Sequence, residues 1–137
     1  MTAVRVFFDT NVLLYLLSED DAKADRAEAL LASGGVISVQ VLNEFASVAS
    51  RKLGLSWPEI HEVLETVRQL CRVDPLLVAT HDRALKVSER YGFSIYDSLI
   101  VAAALDAECD LLLTEDLQDG QRIDDRLLVK NPFATER

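Results

Sequence analysis

Arg5 to Leu17 reads RVFFDTNVLLYLL, one acid followed by two small polar residues in an otherwise apolar run. The run before the acid, Val4 to Phe8 (VRVFF), is apolar, β-branched and aromatic, the composition of a buried strand. The residues after it, TNVLLYLL, suit a helix capped by Asp9 or Thr10. Asp9 therefore falls where a strand hands over to a helix.

Outward from this junction the same alternation repeats. SEDDAKADRAEALLASGG predicts a helix capped by Ser18, acidic in its first turn and ended by Gly34 and Gly35. VIS predicts a second strand. VQVLNEFASVASRKLG predicts an amphipathic helix ending at Gly54, with Val41, Leu42, Phe45, Val48, Ala49 and Leu53 as its apolar stripe. Ser56 to Glu59 forms a capping box with Pro58 in the first turn, opening a helix through Cys71. RVDPLL holds a short strand or extended link. VATHDRALKVSERYG predicts a helix stopped by Gly92, and IYDSLIVAAALDAEC one apolar almost all round, hence buried. DLLLTED is a strand and turn, and RLLVKNPF a last short strand. This alternation predicts an α/β fold, a mostly parallel sheet with helices on both faces. Sites in such sheets lie beyond the carboxyl ends of the strands.

The 137 residues suit one domain, 1–137, and a composition 50% hydrophobic and 27% charged suits a globular chain with a sizeable core. No apolar run is long enough to span a membrane, and no signal-peptide pattern opens the chain, so the expected location is the cytoplasm. Cys71 and Cys109 stand apart in no motif and read as reduced core residues. His61 and His81 lie in polar helical contexts without a partner and carry no predicted role. A net charge of −9 argues against nucleic-acid binding through a broad basic face, but a metal ion in a carboxylate cluster can supply the missing positive charge.

Four acids break the apolar pattern. Asp9 follows the first strand; its plain reading is a helix cap. Glu44 lies at the edge of the stripe containing Val41, Phe45 and Val48; its plain reading is a border residue with its stem on the core. Asp97 opens the apolar helix in the pattern Ser94-Ile95-Tyr96-Asp97, where it could simply face the helix dipole. Asp116 follows DLLLT in a polar turn with Glu115 and Asp119. In a parallel sheet these positions share one edge. Carboxylates converging there would raise one another's pKa, a penalty that a divalent cation removes. Oxygen ligands without a His or Cys cluster favour Mg²⁺ or Mn²⁺ over zinc.

The segments FFDTNVLLYLL, QVLNEF, SIYDSLIVAAAL and LLLTEDLQDGQ, followed by VKNPF, resemble the PIN-domain ribonucleases over nearly the whole chain, and among them the VapC-type toxins of toxin–antitoxin pairs. The resemblance implies a three-layer PIN-like fold and a metal-dependent endoribonuclease, with Asp9, Glu44, Asp97 and Asp116 as catalytic metal ligands. It implies a supporting role for Thr10 or Asn11 beside Asp9, and leaves open whether Asp119 joins Asp116. Where the family often has Arg or Lys, this chain has Glu115. The resemblance also implies an RNA substrate, a homodimer and a cognate antitoxin, with the VLLYLL residues and the acidic SEDDAKADRAEALL helix as contact surfaces.

Arg51 and Lys52 on one helix, and Arg83, Lys86 and Arg90 on another, form two local basic patches that either line solvated helix faces or guide an RNA backbone. Trp57 and Tyr96 could stack a base, although packing in the core or rim is the plainer reading. Two rivals remain: a PIN-like scaffold without chemistry, and a haloacid-dehalogenase-like phosphatase. The latter normally needs a second Asp two residues after the first, where this chain has Asn11.

Overall fold

A computed structural model of the chain describes residues 3–134. Strand β1 (Val6–Phe8) leads directly into a short helix, α1 (Thr10–Leu14), and a 3-10 turn, Tyr15–Leu17. Then follow α2 (Asp21–Ala32), β2 (Gly35–Ser38), α3 (Val39–Arg51), α4 (Trp57–Leu70), β3 (Cys71–Asp74), α5 (Val78–Tyr91), α6 (Ile95–Asp106), β4 (Leu111–Leu113), β5 (Arg122–Ile123) and β6 (Leu127–Lys130). The six strands form one sheet in the order β3-β2-β1-β4-β6-β5, parallel except for β5.

This order explains where a site can form. From β1 the chain steps outward through β2 to β3, then crosses back to place β4 on the other side of β1. Right-handed crossovers in opposite directions put α1–α4 on one face and α5 with α6 on the other. The contacts agree: α1 packs on α3, α2 and α3 on α4, and α5 on α6. Between β1 and β4 the connections part company, and a crevice opens at their carboxyl ends.

The core is built from the strands' apolar residues. Phe7, Phe8, Ile37, Leu112 and Val129 are all at most 1% exposed. Helix α6 buries an unbroken run from Ile100 to Leu105, as its lack of a polar face predicts. Gly35 begins β2 directly beneath the Phe8 ring. A Cβ there would overlap that ring and lie 2.8 Å from the Val6 carbonyl oxygen. The close seating of β1 against β2 thus requires glycine at this position.

Several predicted boundaries move. Asp20, not Ser18, caps α2, its carboxylate accepting from the Ala22 and Lys23 amides; Ser18 Oγ accepts from Asp20 N. Gly35 is a strand residue, so α2 ends at Ala32 and the chain turns at Gly34 with φ +82°. Helix α3 stops at Arg51, leaving Leu53 48% exposed and outside the apolar stripe. Cys71 opens β3, its amide still donating to the Val67 carbonyl, so the predicted helix is one residue shorter. The two-residue strand β5, unassigned from the sequence, pairs antiparallel with β6. Both cysteines are buried and free.

Candidate active site

The strand register aligns the residues at the sheet's carboxyl edge. Phe8 pairs with Leu113, and Leu113 with Lys130, so Asp9, Thr114 and Asn131 follow side by side. The Asp9 amide donates to the Leu113 carbonyl at 3.0 Å, and the Thr114 amide to the Lys130 carbonyl at 3.0 Å. Asp9 is therefore clamped at the β1–β4 crevice by backbone as well as side chain.

Asp9 is only 5% exposed. Oδ1 accepts from the Thr10 amide at 2.7 Å, making Asp9 the N-cap of α1, and Oδ2 accepts from Thr114 Oγ1 at 2.8 Å. Burial pushes the Asp9 carboxyl up from 3.8 to about 6. The bonds from Thr114 and Thr10 oppose that rise, and the charges of Asp116 and Glu44 add to it. Asp9 thus fills the cap role of its plain reading. A cap alone does not call for a charged group at this depth.

Thr114 connects the parts. Its fully buried hydroxyl donates to Asp9, accepts from Asn11 Nδ2 at 3.2 Å, and accepts from the Asp116 amide at 3.0 Å. Asn11 Nδ2 also donates to Asp116 Oδ2 at 3.2 Å. Thr114 was not singled out in the sequence; a threonine ending an apolar strand directly before an acid is its only signal there.

Asp97 lies in the first turn of α6, its amide donating to Ser94 Oγ at 3.1 Å, which realises the predicted capping pattern. Burial and then the Asp116 charge raise its pKa, and Ser94 opposes them. Glu44 is half-buried on α3 and accepts from Gln40 Nε2 at 2.6 Å. Gln40 is a second residue the sequence left unnoticed. Asp9 feels the charges of Asp116 and Glu44, and Asp97 that of Asp116, so the four predicted acids form one electrostatic group. Among the described residues, however, no three His, Cys, Asp or Glu side chains close on a common point in the manner of a finished metal cage. Both Asp9 oxygens are engaged by Thr10 and Thr114.

Other predicted residues stand apart. Asp119 Oδ1 accepts from the Asn131 amide at 2.9 Å and lies 3.9 Å from Lys130 Nζ, bracing the end of β6. Glu115 accepts from the Tyr15 hydroxyl at 2.7 Å, and that bond raises the phenol to about 12. Arg83 pairs with Asp106 at 3.2 Å and Arg90 with Asp124 at 3.3 Å, both exposed arginines. Arg51, Lys52 and Lys86 are exposed. Trp57 and Tyr96 are 67% and 68% exposed, which sets aside core packing for either ring.

The donor set suits a hard divalent cation: carboxylate, hydroxyl and amide oxygens with no sulfur or imidazole. Two buried oxygens beside Asp9, Thr10 Oγ1 and Asn11 Oδ1, have no hydrogen-bond partner among the described residues. A buried unmatched acceptor beside a raised carboxyl pKa is an environment that a cation, with its own hydration, would relieve.

A comparison with curated proteins gives no match. Solved structures with the same fold include the Mycobacterium tuberculosis toxin VapC20, described as cleaving the sarcin–ricin loop, at 20% identity and TM-score 0.66, covering 81% of this chain and 91% of that one. They also include a toxin–antitoxin complex from Klebsiella pneumoniae at 19% identity and TM-score 0.72, covering 95% and 99%. A third is VapBC2 from Rickettsia felis, bound to a promoter DNA fragment, at 19% identity and TM-score 0.67, covering 93% and 98%. The family model of the PIN domain matches residues 6–124, from the start of β1 to the turn after β5, and so takes in all four acids: the chain belongs to the PIN-domain family.

Proposed function

We propose that this chain is a divalent-metal-dependent endoribonuclease and the toxin of a toxin–antitoxin pair. The observation that carries the reading is the buried Asp9 carboxylate at the β1–β4 crevice, within electrostatic reach of Glu44 and Asp116. PIN-family membership supports it, as does the fold shared with structures described as toxins and toxin–antitoxin complexes.

In this reading Asp9 and Asp97 would hold the principal Mg²⁺ or Mn²⁺, with Asp116 as a further ligand, directly or through water. When bound, such an ion polarises a phosphodiester and makes water a stronger nucleophile. Glu44 orients the attacking water or holds a second ion. Thr114 and Asn11 fix Asp9 relative to Asp116, limiting the motion that would loosen the set. No side chain needs to form a covalent intermediate. Asn11 occupies the place of a phosphatase's second acid, and its amide is already donated to Thr114 and Asp116, which disfavours the phosphatase reading.

RNA would approach a chain of like charge, so local cations matter. Arg51, Lys52, Arg83 and Lys86 are assigned to the phosphate backbone. The exposed Tyr96 ring, next to Asp97, is placed to stack an unpaired base. The cognate antitoxin is assigned to the α2 side, where Leu16, Leu31, Val63, Val67 and Leu70 line an apolar groove of about 500 Å³. A homodimer and a cytoplasmic location complete the reading. Among the described residues no helix is long and apolar enough to cross a membrane.

The test is cleavage of a mixed RNA pool by purified protein in Mg²⁺ or Mn²⁺ against EDTA, with Asp9→Asn in parallel. Metal-dependent cutting lost in the variant is expected. Wild-type cutting rates in Asp9→Asn would overturn the assignment. A folded, antitoxin-free protein that cuts nothing under any condition would favour the silent-scaffold reading.

A further inference from the structure

Gln40 sits in the first turn of α3, where a polar residue normally faces water, yet it is only 7% exposed. Its Nε2 donates to Glu44 Oε1 at 2.6 Å and to the Tyr96 carbonyl at 3.1 Å. Both partners are acceptors, so the orientation of the amide is fixed: rotating it would set oxygen against a carboxylate and a carbonyl. The remaining atom, Gln40 Oε1, is buried and has no donor among the described residues.

These facts do not describe a residue chosen for stability. A buried amide with an unmatched acceptor carries a desolvation penalty that an apolar side chain of the same shape avoids. What Gln40 does is geometric. It ties Glu44, on α3, to the backbone one residue before Asp97, on α6. These helices belong to opposite layers of the fold and are linked here across the carboxyl edge of the sheet. With one Glu44 oxygen held by Gln40, the other takes no side-chain hydrogen bond among the described residues.

Building on the metallonuclease reading above, we propose that Gln40 is a positioning residue. It sets the span between Glu44 and Asp97 and holds Glu44 with one oxygen available to the divalent ion or to the attacking water. Residues that orient metal ligands typically change metal affinity or activity by about 10–100-fold when removed.

The experiment compares wild type, Gln40→Met, Glu44→Gln and the double variant. Mn²⁺ binding is measured by calorimetry, cleavage is separated into kcat and KM, and circular dichroism checks the fold. Gln40→Met should lower Mn²⁺ affinity or kcat about 10-fold or more, with KM for RNA unchanged. In the Glu44→Gln background the same substitution should have little further effect, because its action runs through Glu44. Gln40→Glu, which sets a carboxylate against Glu44, should be worse than Gln40→Met.

A folded Gln40→Met with wild-type Mn²⁺ affinity and kcat overturns the proposal, as does a full additional loss in the double variant. Should Gln40→Met fail to fold, Gln40→Asn, uncharged and too short to reach both partners, carries the same comparison. Wild-type protein that neither binds Mn²⁺ nor cleaves overturns the metallonuclease reading, and this inference with it. Wild-type activity with unaffected Gln40 variants overturns this inference alone.

Discussion

Replacing Asp9 with Asn should stabilise the metal-free protein while abolishing cleavage, and the size of the gain follows from burial. The carboxyl is held at about 6 against an ordinary 3.8. The folded chain therefore keeps this proton to higher pH than the unfolded chain. Stability from this residue is fully present below the unfolded value, falls as pH rises, and is lost above about 6. Each tenfold change in proton affinity is about 1.4 kcal/mol, so ionising Asp9 in the fold costs about 3 kcal/mol at neutral pH. Asparagine removes the charge and keeps an oxygen for the Thr10 amide. Its NH₂, however, meets Thr114 Oγ1, which already accepts from Asn11 and Asp116. That mismatch reduces the expected gain to about 1–3 kcal/mol. Thermal melts in EDTA between pH 4.5 and 8 provide the assay. Wild type should lose stability relative to the variant as pH rises through about 6. A smaller slope of the same sign should persist in the variant, because Asp97 is also raised. If Asp9→Asn is no more stable than wild type at pH 7.5 and the two pH profiles run parallel, the buried charge is not the burden the structure implies.

Three further outcomes are expected. Millimolar Mn²⁺ should raise the melting temperature of wild type, by about 2.7 kcal/mol of stability at a hundred times Kd, and do so far less in Asp9→Asn; a melt indifferent to Mn²⁺ and Mg²⁺ would count against a preformed site. Thr114→Val removes the hydroxyl shared by Asp9, Asn11 and Asp116, so it should cost about 1–3 kcal/mol and drive the Asp9 carboxyl above its wild-type value, as read by carbon NMR titration; an unmoved carboxyl would refute the linkage. Gly35→Ala should destabilise by about 1–3 kcal/mol through the Phe8 ring and the Val6 carbonyl, and a chemical denaturation midpoint equal to wild type would show that β1 can shift aside.

What was legible in the sequence follows from which signals are local. The parallel sheet could be read because apolar runs such as VRVFF and DLLLT alternate with helices carrying caps and stops. Asp9, Glu44 and Asp97 stood out as candidates because each breaks or borders an apolar pattern, and Asp116 because it follows an apolar strand. Thr114 and Gln40 interrupt nothing visible in one dimension: a threonine suits a strand end, and a glutamine suits a helix's first turn. Only the pairing of β1 with β4, and the approach of α6 to α3, gives them partners. Strand β5 is two residues long and too short to show a period. The α2 cap was misplaced by two residues because Ser18 and Asp20 are both good caps, and the 3-10 turn at Tyr15–Leu17 settles which begins the helix. Whether Asp119 joins Asp116 was open in the sequence; its carboxylate accepts from the Asn131 amide.

The four acids are harder to explain as structure than as function. An N-cap at position 9 could be serine, threonine or asparagine at nearly the same stability and without a buried charge. Position 97 needs a backbone amide for Ser94 more than it needs a carboxylate. Asparagine at 116 could still accept from Asn11 through its carbonyl oxygen. At positions 97 and 116 a neutral residue of nearly the same shape would keep the hydrogen bonds, and at position 9 it would lose only the one from Thr114; at all three it would remove charge that contributes to the raised pKa of Asp9 or Asp97. Glu44 has its amide partner in Gln40, which a glutamine in its place could also satisfy. Retaining charge at positions 9 and 97 is destabilising in the metal-free protein. In the metallonuclease reading proposed above, a bound cation would offset that cost, and the stability given up at Asp9 is what the reading requires.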